Sequence, residues 1–528
     1  MKTKSARRET LIVIGCVLAL AVLAAFSAPA AVADDACVKA TVTVNLAHDV
    51  GKVSLLIYGQ FLEHFHRIVY GGVYDPQSPL ADKNGFRQDV IEAMRRIHVP
   101  ILRWPGGCFA SAYHWRDGVG ENRSSTYDKA WRVEDPNTFG TNEFITFCRE
   151  VGAEPYICGN AGTGTPEELS DWVEYCNLSI GRWARLRRTH GFKDPRRVRY
   201  WSIGNENWGG HEIGAKAPDE FARFVAETAK MMRRVDGTIE LAAPSLPNAD
   251  WNKSLLSVAG PYLDYVAIHS YEDPLWENND PAPYARCVKW SVHPEALIMK
   301  THALLRSLGN THIRVAYDEW NLRGWHHPKF TAPVADIGAR DANDLNRTYT
   351  CADAVYAGCF LNACLRHADI VGMANFAPVV NSRGAIFTHK DGIVLRPTYH
   401  VFDLYSNHAL PKSVETIVES SLFRAEDTDV PAIDAAMTCS DNGRYALAAI
   451  NRHEQQSAQL TLILSGATVS ETAELWTVTG AQADSFNDVD HHGDVSLTKT
   501  DIKWDSKNPA CTLQPHSVNM VCFGATRN

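Results

Sequence analysis

The chain has 528 residues, of which 45% are hydrophobic and 21% charged, a composition typical of globular proteins and not of disordered or fibrous ones. This length is too great for one compact core and favours two domains. The formal net charge is -9 and the sequence contains no basic cluster. This argues against nucleic acid and anionic membranes as targets and favours a neutral substrate.

The first 33 residues have the pattern of an export signal. The basic residues come first, at Lys2, Lys4, Arg7 and Arg8. An apolar run at 11–26 follows, and small residues before Asp34 offer a cleavage site. The run is short for a membrane span, and an uncleaved anchor is the alternative. Cleavage removes four basic residues and Glu9, so the net charge becomes -12 (-9 - 4 + 1). We expect a secreted or periplasmic protein without membrane attachment.

From about residue 50 to 400, short apolar runs alternate with longer amphipathic stretches, the pattern of repeated β-α units. The eight candidate strands are Leu55–Gln60, Ile101–Trp104, Glu154–Cys158, Arg199–Ile203, Glu240–Ala243, Tyr265–Ile268, Arg314–Tyr317 and Ile370–Asn375. Capping residues and apolar spacing predict helices at Asn142–Val151, Pro166–Cys176 and Pro218–Val235. The pattern predicts an α/β fold, a (β/α)₈ TIM barrel. An open doubly wound sheet is the alternative, but no G-x-G-x-x-G opens the first unit.

The last part of the chain differs from the barrel region. Its apolar segments are short and separated by Gly, Asn, Asp and Ser, and they include Tyr445–Ile450, Gln459–Leu464 and Val518–Phe523. This pattern predicts an antiparallel β-sandwich. Cys37–Leu46 alternates in the same way, and we expect it to add strands to that sandwich. The predicted organisation is a signal peptide at 1–33, N-terminal strands at 34–54, the barrel at 55–404 and the sandwich at 405–528.

The cysteines give no sign of a metal centre. Twelve of the thirteen lie beyond the signal, without a C-x-x-C pair or zinc-ligand spacing. Those in apolar segments, which we expect to be buried thiols, are Cys158, Cys351, Cys359 and Cys364. The sequence leaves disulfide pairing open, and it predicts neither a metal nor a cofactor.

Two carboxylates follow apolar strands of the predicted barrel. Glu206 ends the fourth strand in WSIGNE, and Glu319 ends the seventh in VAYDE. A single carboxylate after a strand is ordinarily a turn residue facing water. Two of them, flanked by Asn, Gly or Trp, fit the place where barrel enzymes hold catalytic groups. Glycosidic cleavage needs one protonated and one ionised carboxyl group, and a separation of about 5 Å favours a retaining reaction.

Several motifs closely resemble glycoside hydrolase family 51. They are YGQFLEH (58–64), RWPGGCFASAYHWRDGVG (103–120), FGTNEFITFCREVGAEPYICGNAGTGTPEE (139–168), YWSIGNENWG (200–209), HSY (269–271) and YDEWN (317–321). The resemblance runs through most of residues 40–400 and weakly into the tail. It implies a (β/α)₈ barrel with a β-sandwich and a retaining α-L-arabinofuranosidase that acts on arabinose-containing oligo- or polysaccharides. It assigns the acid/base to Glu206 and the nucleophile to Glu319.

The same resemblance implies a set of sugar-binding residues, namely Glu63, Arg103, Cys108, Asn205, His269 and Tyr271. Three of them have another interpretation from the sequence alone. Glu63 could pair with His64, Arg103 could bridge strand ends or hold Glu319 ionised, and Tyr271 could pack in the core. Cys108 and Pro378 depart from the pattern that we expect for the family. These departures leave the sugar and its linkage open.

Three other classes remain as alternatives. The first is an endo-acting β-glucanase or xylanase on the same barrel, which an open cleft would distinguish from an exo-acting pocket. The second is a metal-dependent hydrolase, prompted by the histidines at positions 64, 66, 269, 326 and 327, although no ligand spacing supports it. The third is a carbohydrate-binding protein without activity, against which the intact pair Glu206 and Glu319 argues. Homo-oligomers are common in the family, but the sequence shows no interface signal.

Overall fold

The computed structural model describes residues 37–274, 281–324 and 344–527, so the predicted signal lies outside the described residues. Eight parallel strands close into a barrel in the order β10-β11-β2-β3-β6-β7-β8-β9. They are β2 (Gly59–Phe61), β3 (Ile101–Trp104), β6 (Glu154–Gly159), β7 (Tyr200–Ile203), β8 (Glu240–Pro244), β9 (Tyr265–Pro274), β10 (Arg314–Gly324) and β11 (Val371–Phe376). The predicted barrel is confirmed.

Helices surround the barrel. They are α1 (Gln88–Arg96), α2 (Thr141–Val151), α3 (Pro166–Asn177), α4 (Arg182–Thr189), α5 (Pro218–Val235), α6 (Ala249–Ala259), α7 (Tyr284–Lys289), α8 (His293–Ser307), α9 (Cys351–Arg366) and α10 (Pro397–His408). The expected start of α3 is present: Pro166 opens the helix and the Thr165 hydroxyl accepts a hydrogen bond from the Glu168 amide. Helix α5 has the bounds that its apolar spacing predicts.

The first predicted strand is partly wrong. Leu55–Tyr58 forms a 3-10 turn, and only Gly59–Phe61 is a strand. The turn brings Leu56 against a small apolar cluster. The cluster comprises Ile101, Tyr156, Tyr200, Ala242, Tyr265, Ala316 and Met373. These residues lie on seven barrel strands. Leu56, which the sequence alone predicts to be part of a strand, lies in the turn and packs against them.

Nine strands form a second, mostly antiparallel sheet in the order β21-β20-β23-β18-β17-β14-β1-β19-β22. They are β1 (Cys37–Lys52), β14 (Lys412–Ser420), β17 (Ile433–Cys439), β18 (Arg444–Asn451), β19 (Ser457–Ser465), β20 (Ala467–Thr479), β21 (Ser496–Lys503), β22 (Ala510–Leu513) and β23 (Ser517–Arg527). Strand β1 lies between β14, to which it is antiparallel, and β19, to which it is parallel. The N-terminal segment is thus part of the C-terminal sheet.

Three short hairpins complete the described strands: β4 (Thr126–Asp128) with β5 (Val133–Asp135), β12 (Ile386–His389) with β13 (Gly392–Leu395), and β15 (Leu422–Ala425) with β16 (Thr428–Pro431). The nine-stranded sheet has two apolar faces. One packs on α9 and belongs to the barrel core, through residues such as Ile450 and Val518. The other encloses a second core with residues such as Val42, Leu460 and Val521.

All twelve cysteines among the described residues are free thiols. The four predicted to be buried, Cys158, Cys351, Cys359 and Cys364, are buried. Among the described residues, none of the helices has the length and apolar character that crossing a bilayer requires. The predicted boundary at 404/405 falls inside α10.

Candidate active site

The carboxyl ends of the barrel strands form one polar centre, which we call the barrel mouth. Its predicted members come from five strands: Glu63 after β2, Arg103 and Cys108 on and after β3, Asn205 and Glu206 after β7, His269 and Tyr271 on β9, and Glu319 on β10. All of them except Glu206, His269 and Tyr271 are buried. The contacts below show that the structure brings the whole predicted set together.

Glu206 and Glu319 face each other across the barrel mouth. One carboxylate oxygen of each, together with a ring nitrogen of His269, lie within 4.8 Å of one another. Retaining glycosidases hold their carboxyl groups about 5 Å apart, whereas inverting enzymes leave roughly 6.5–9.5 Å for a water. The spacing therefore suits direct attack on the sugar by one of the two carboxylates.

A β-bulge in β10 explains why two consecutive acidic residues both reach this centre. Along β9, Ala267 and His269 pair with Ala316 and Glu319, so β10 carries one extra residue over this interval. Successive side chains on a regular strand point to opposite faces. The bulge breaks that alternation, as bulges beside active sites often do. Consequently both Asp318 and Glu319 form ion pairs with Arg103.

Glu319 accepts two short hydrogen bonds. Arg103 Nη1 donates to Oε1 at 2.6 Å, and the Tyr271 hydroxyl donates to Oε2 at 2.7 Å. Arg103 is fully buried, and its Nη2 donates to Asn205 Oδ1 at 3.0 Å. Charge-assisted bonds of this kind favour the ionised carboxylate and fix its direction. The contacts fix the position of the Glu319 carboxylate, and Tyr271 is bonded to it rather than packed in the core.

Glu206 is held by two histidines. His269 Nδ1 lies 2.7 Å from Oε1, and His211 Nε2 lies 2.6 Å from Oε2. Burial on its own would raise the pKa of Glu206, but these hydrogen bonds outweigh it and lower the pKa below the ordinary glutamate value. The same bond raises the pKa of His211. In the free protein, the proton of this pair therefore resides on the histidine side.

His269 connects the two carboxylates. Its Nδ1 faces Glu206 at 2.7 Å and Glu319 at 3.6 Å, and its Nε2 faces Asp318 at 3.0 Å. Burial lowers the pKa of His269, but the three carboxylates raise it to about 10. At neutral pH both ring nitrogens thus carry protons, and each donates to a carboxylate. The imidazolium reduces the repulsion between the acidic groups.

Glu63 has a different environment from the catalytic pair. Its Oε1 accepts from the Phe109 amide at 3.1 Å and from Trp131 Nε1 at 3.0 Å. Burial, with the nearby charge of Glu319, raises the pKa of Glu63 to about 8. The ion pair with His64 considered above is absent, because His64 Nδ1 binds Asp135 at 2.6 Å. Glu63 is therefore a neutral carboxylic acid at the edge of the site at pH 7.

Glycines make room for these carboxylates. A Cβ on Gly106 would lie 2.5 Å from Glu63 Cγ, and one on Gly107 would lie 3.2 Å from Glu319 Oε1. Gly204, just before the Asn205–Glu206 pair, has a φ of +95° and would clash with Asn207 if it carried a side chain. The glycines of the RWPGG and SIGNE segments thus allow the backbone to approach the acidic groups closely.

Sequence reasoning missed several polar members of the barrel mouth. These are Asp318, Trp131, His211 and Glu212. Glu212 is buried, and its Oε1 accepts hydrogen bonds from the Ser111 hydroxyl and from Asn205 Nδ2. Asp318 had a signal in its position next to Glu319. His211 and Glu212 had only their place five and six residues after Glu206, which does not determine where a loop turns.

Among the described residues, the histidines at 64, 66 and 269 do not come together as one metal centre. His64 is bound to Asp135, while His269 lies between carboxylates. His326 and His327 lie outside the described residues. No two of the histidines at 64, 66 and 269 share a candidate metal site within the described ranges.

Comparisons with known proteins show which family the chain resembles. The α-L-arabinofuranosidase 1 domain matches residues 93–287, and the α-L-arabinofuranosidase C-terminal domain matches residues 318–517. The chain is 35% identical to an intracellular exo-α-(1→5)-L-arabinofuranosidase 1 of Bacillus subtilis, over 79% of this chain and 86% of the relative. It is 32% identical to a probable α-L-arabinofuranosidase C of Aspergillus clavatus, over 92% and 97% of the two chains.

A solved structure resembles this protein over most of its length. It is a thermostable family 51 α-L-arabinofuranosidase from Thermotoga petrophila, with 34% identity and a TM-score of 0.82, covering 92% of this chain and 99% of that one. Sequence identity at this level over most of both chains establishes common family membership. The chain therefore belongs to glycoside hydrolase family 51, the α-L-arabinofuranosidases.

Proposed function

We propose that this protein removes terminal α-L-arabinofuranosyl residues from plant oligo- or polysaccharides, with retention of configuration at the anomeric carbon. The single observation that carries the mechanism is the distance of no more than 4.8 Å between carboxylate oxygens of Glu206 and Glu319. The substrate class follows from the names of the relatives. The endo-acting glucanase alternative has less support, since the relatives and the solved structure described above are arabinofuranosidases.

In the first step, Glu319 is the nucleophile. Arg103 and Tyr271 each bind one of its oxygens, so the carboxylate is held in place before the sugar arrives. Oε attacks the anomeric carbon and forms a glycosyl ester while the glycosidic bond breaks. The leaving oxygen takes a proton from Glu206, and the aglycone departs as an alcohol.

Glu206 must be protonated at that moment, although the two histidines favour its anion in the free protein. We infer that the proton is drawn from the hydrogen-bonded pair of Glu206 and His211, in which the histidine has the raised pKa. In the second step Glu206 removes a proton from water, and the hydroxide attacks the anomeric carbon. The ester bond to Glu319 breaks, and arabinose leaves with its original configuration.

Glu206→Ala tests the assignment of the acid. Protonation by a positioned acid contributes about 10²–10⁴-fold for poor leaving groups and far less for aryl oxides, which depart unaided. We expect the variant to lose about that factor in kcat/KM on arabino-oligosaccharides and much less on an aryl α-L-arabinofuranoside. Equal losses on both substrates would contradict the role of Glu206.

The stereochemistry needs a direct measurement. Proton NMR of the first sugar released from an aryl α-L-arabinofuranoside should show the α-anomer before mutarotation. Release of the β-anomer would rule out double displacement. A panel of aryl glycosides under the same conditions tests the sugar, and preference for another glycoside would contradict the arabinofuranosidase assignment.

We also propose that the protein is exported and that its signal is cleaved after residue 33. The basic and apolar segments of the N-terminus support this proposal. The test is expression of the full chain in a bacterial host, followed by fractionation and mass analysis of the N-terminus. A mature protein beginning at Asp34 outside the cytoplasm is the expected result, whereas full-length protein in the cytoplasm would contradict it.

A further inference from the structure

A second group of side chains lies at the barrel mouth beside the catalytic pair. Cys108 Sγ, a ring nitrogen of His211 and a carboxylate oxygen of Glu212 all lie within 4.8 Å of one another. We call these three residues the thiol–histidine cluster. They come from two loops, since Cys108 follows β3, while His211 and Glu212 follow β7. The proposed reaction uses His211 through Glu206 but gives no task to Cys108 and Glu212 as a unit.

The burial of the cluster suits a bound ligand that enters from one side. Cys108 is 9% exposed and Glu212 is 5% exposed, whereas His211 is exposed. The second carboxylate oxygen of Glu212, Oε2, is buried without a hydrogen-bond partner among the described residues. Buried polar atoms are ordinarily paired, so this oxygen calls for a partner. His211 provides the solvent-facing side.

The local charge favours a cation. The carboxylates of Glu212, Glu63 and Glu206 lie near the Cys108 thiol. A divalent cation suits these surroundings, because it binds a thiolate directly and neutralises adjacent carboxylates.

We propose that the thiol–histidine cluster binds one zinc-like divalent cation through Cys108 Sγ, one ring nitrogen of His211 and the carboxylate of Glu212. Sulfur, imidazole and carboxylate are the ligands that zinc takes, and three protein ligands leave a fourth position for water. Binding exchanges the thiol proton for the cation: the S–H bond breaks, the metal–sulfur bond forms, and the proton passes to the buffer. No oxidation or reduction takes place.

The position predicts an effect on turnover, and this part of the inference rests on the proposed function. His211 lies 2.6 Å from Glu206 Oε2, so a cation on the imidazole changes the group that supplies the acid with its proton. Cys108 also directly follows Gly107, where an added Cβ would lie 3.2 Å from Glu319 Oε1. We therefore expect zinc to inhibit hydrolysis.

Cobalt provides a test that does not depend on activity. Co²⁺ is added to the mature protein, and a thiolate-to-cobalt charge-transfer band is followed in the near ultraviolet. We expect the band to saturate at one equivalent and to disappear when Zn²⁺ is added. Cys108→Ser should abolish the band. Cys511→Ser is the matched control, because Cys511 is a buried thiol in the second core, and this variant should retain the band.

Glu212→Gln and His211→Asn keep the test valid if Cys108→Ser does not fold, which a melting curve would show. Each should weaken cobalt binding by at least about tenfold, the loss expected when a ligand or its support is removed. Failure of the wild-type protein to produce the band, or a band that persists in folded Cys108→Ser, would overturn the proposal.

The activity measurement separates the two proposals. Zinc should inhibit the wild-type protein and Cys511→Ser at the concentration that displaces cobalt. A protein with the cobalt band but without arabinofuranosidase activity would contradict only the proposed function. A protein with that activity but without the band would contradict only the cation site.

Discussion

Two regions of this molecule bury many charges, and they do so in opposite ways. Between the barrel and the nine-stranded sheet, Asp434 Oδ2 accepts from Arg452 at 2.6 Å, and Asp434 Oδ1 accepts from Arg366 at 3.1 Å and from Asn362 at 2.7 Å. Arg366 also donates to Glu295 at 2.6 Å. We call this group the interface network. In it, two carboxylates meet two guanidinium groups.

The barrel mouth has a surplus of acidic groups. Its five carboxylates are those of Glu63, Glu206, Glu212, Asp318 and Glu319. The cationic partners are one guanidinium and two imidazoles, from Arg103, His211 and His269. Within this group burial raises the pKa of Glu63, whereas histidines lower that of Glu206. Paired charges maintain a structure, while an unbalanced set with divergent pKa values provides acid–base chemistry.

Glu319→Gln should have the largest effect, and mainly on activity. Removing a nucleophile costs at least about 10⁴-fold in kcat, as for other enzymes with covalent intermediates. Stability should change by less than about 2 kcal/mol, below the usual cost of breaking a buried pair, because Arg103 keeps Asp318 at 3.2 Å. Steady-state kinetics and thermal unfolding of the same preparation provide both numbers. A large loss of stability would place Glu319 with the structural pairs and contradict the comparison.

Asp434→Asn should do the reverse. It leaves the buried guanidinium of Arg452 and the partly buried one of Arg366 without their shared anion, which costs about 3–5 kcal/mol. Denaturant unfolding measures that loss, and kcat of the folded protein at low temperature should remain within about twofold of the wild type, since Asp434 lies outside the barrel mouth.

The control for this variant is an exposed ion pair. Asp219 and Arg223 are 68% and 76% exposed and lie on one helix four residues apart. Asp219→Asn should cost no more than about 0.5 kcal/mol. If Asp434→Asn lowers the free energy of unfolding as little as Asp219→Asn does, burial does not determine how much these ion pairs contribute to stability.

Much of the fold could be predicted from sequence because its signals are local. Apolar runs and helical spacing locate all eight barrel strands, and Pro218–Val235 is reproduced as α5. The exception at Leu55–Tyr58 has a long-range cause. That segment turns so that Leu56 packs on a cluster from seven strands distant in the chain, and no local pattern contains this information.

The site residues also divide into those with a local sequence signal and those that only the folded structure brings together. Glu206 and Glu319 could be located because each directly follows an apolar strand. Asp318 and Glu319 reach the same centre only through a bulge, which depends on the register with β9. His211 and Glu212 lie in a loop in which Glu212 accepts a hydrogen bond from Ser111, a residue distant in the chain. Their proximity to Cys108 is therefore a property of the folded protein.

The pH dependence of the stability of Glu63→Gln tests the difference between Glu63, whose pKa is raised, and Glu206, whose pKa is lowered. A raised pKa means that the folded state binds the proton more tightly than the unfolded state. The stability that this protonation of Glu63 contributes is fully present below the ordinary glutamate pKa of 4.5, and it is lost as the pH rises through the raised pKa of about 8. The loss is at most about 1.4 kcal/mol for each pH unit in that window.

Glutamine remains neutral, so the variant should lack this loss, and its melting temperature relative to wild type should rise between pH 4.5 and 8. Glu319→Gln should reduce the same slope, because the charge of Glu319 is the second cause of the shift after burial. Parallel melting curves for wild type and Glu63→Gln would mean that Glu63 is ionised in the folded protein at neutral pH. In that case the barrel mouth would carry one more negative charge than its contacts indicate, and the neutral acid would have to be sought elsewhere among its carboxylates.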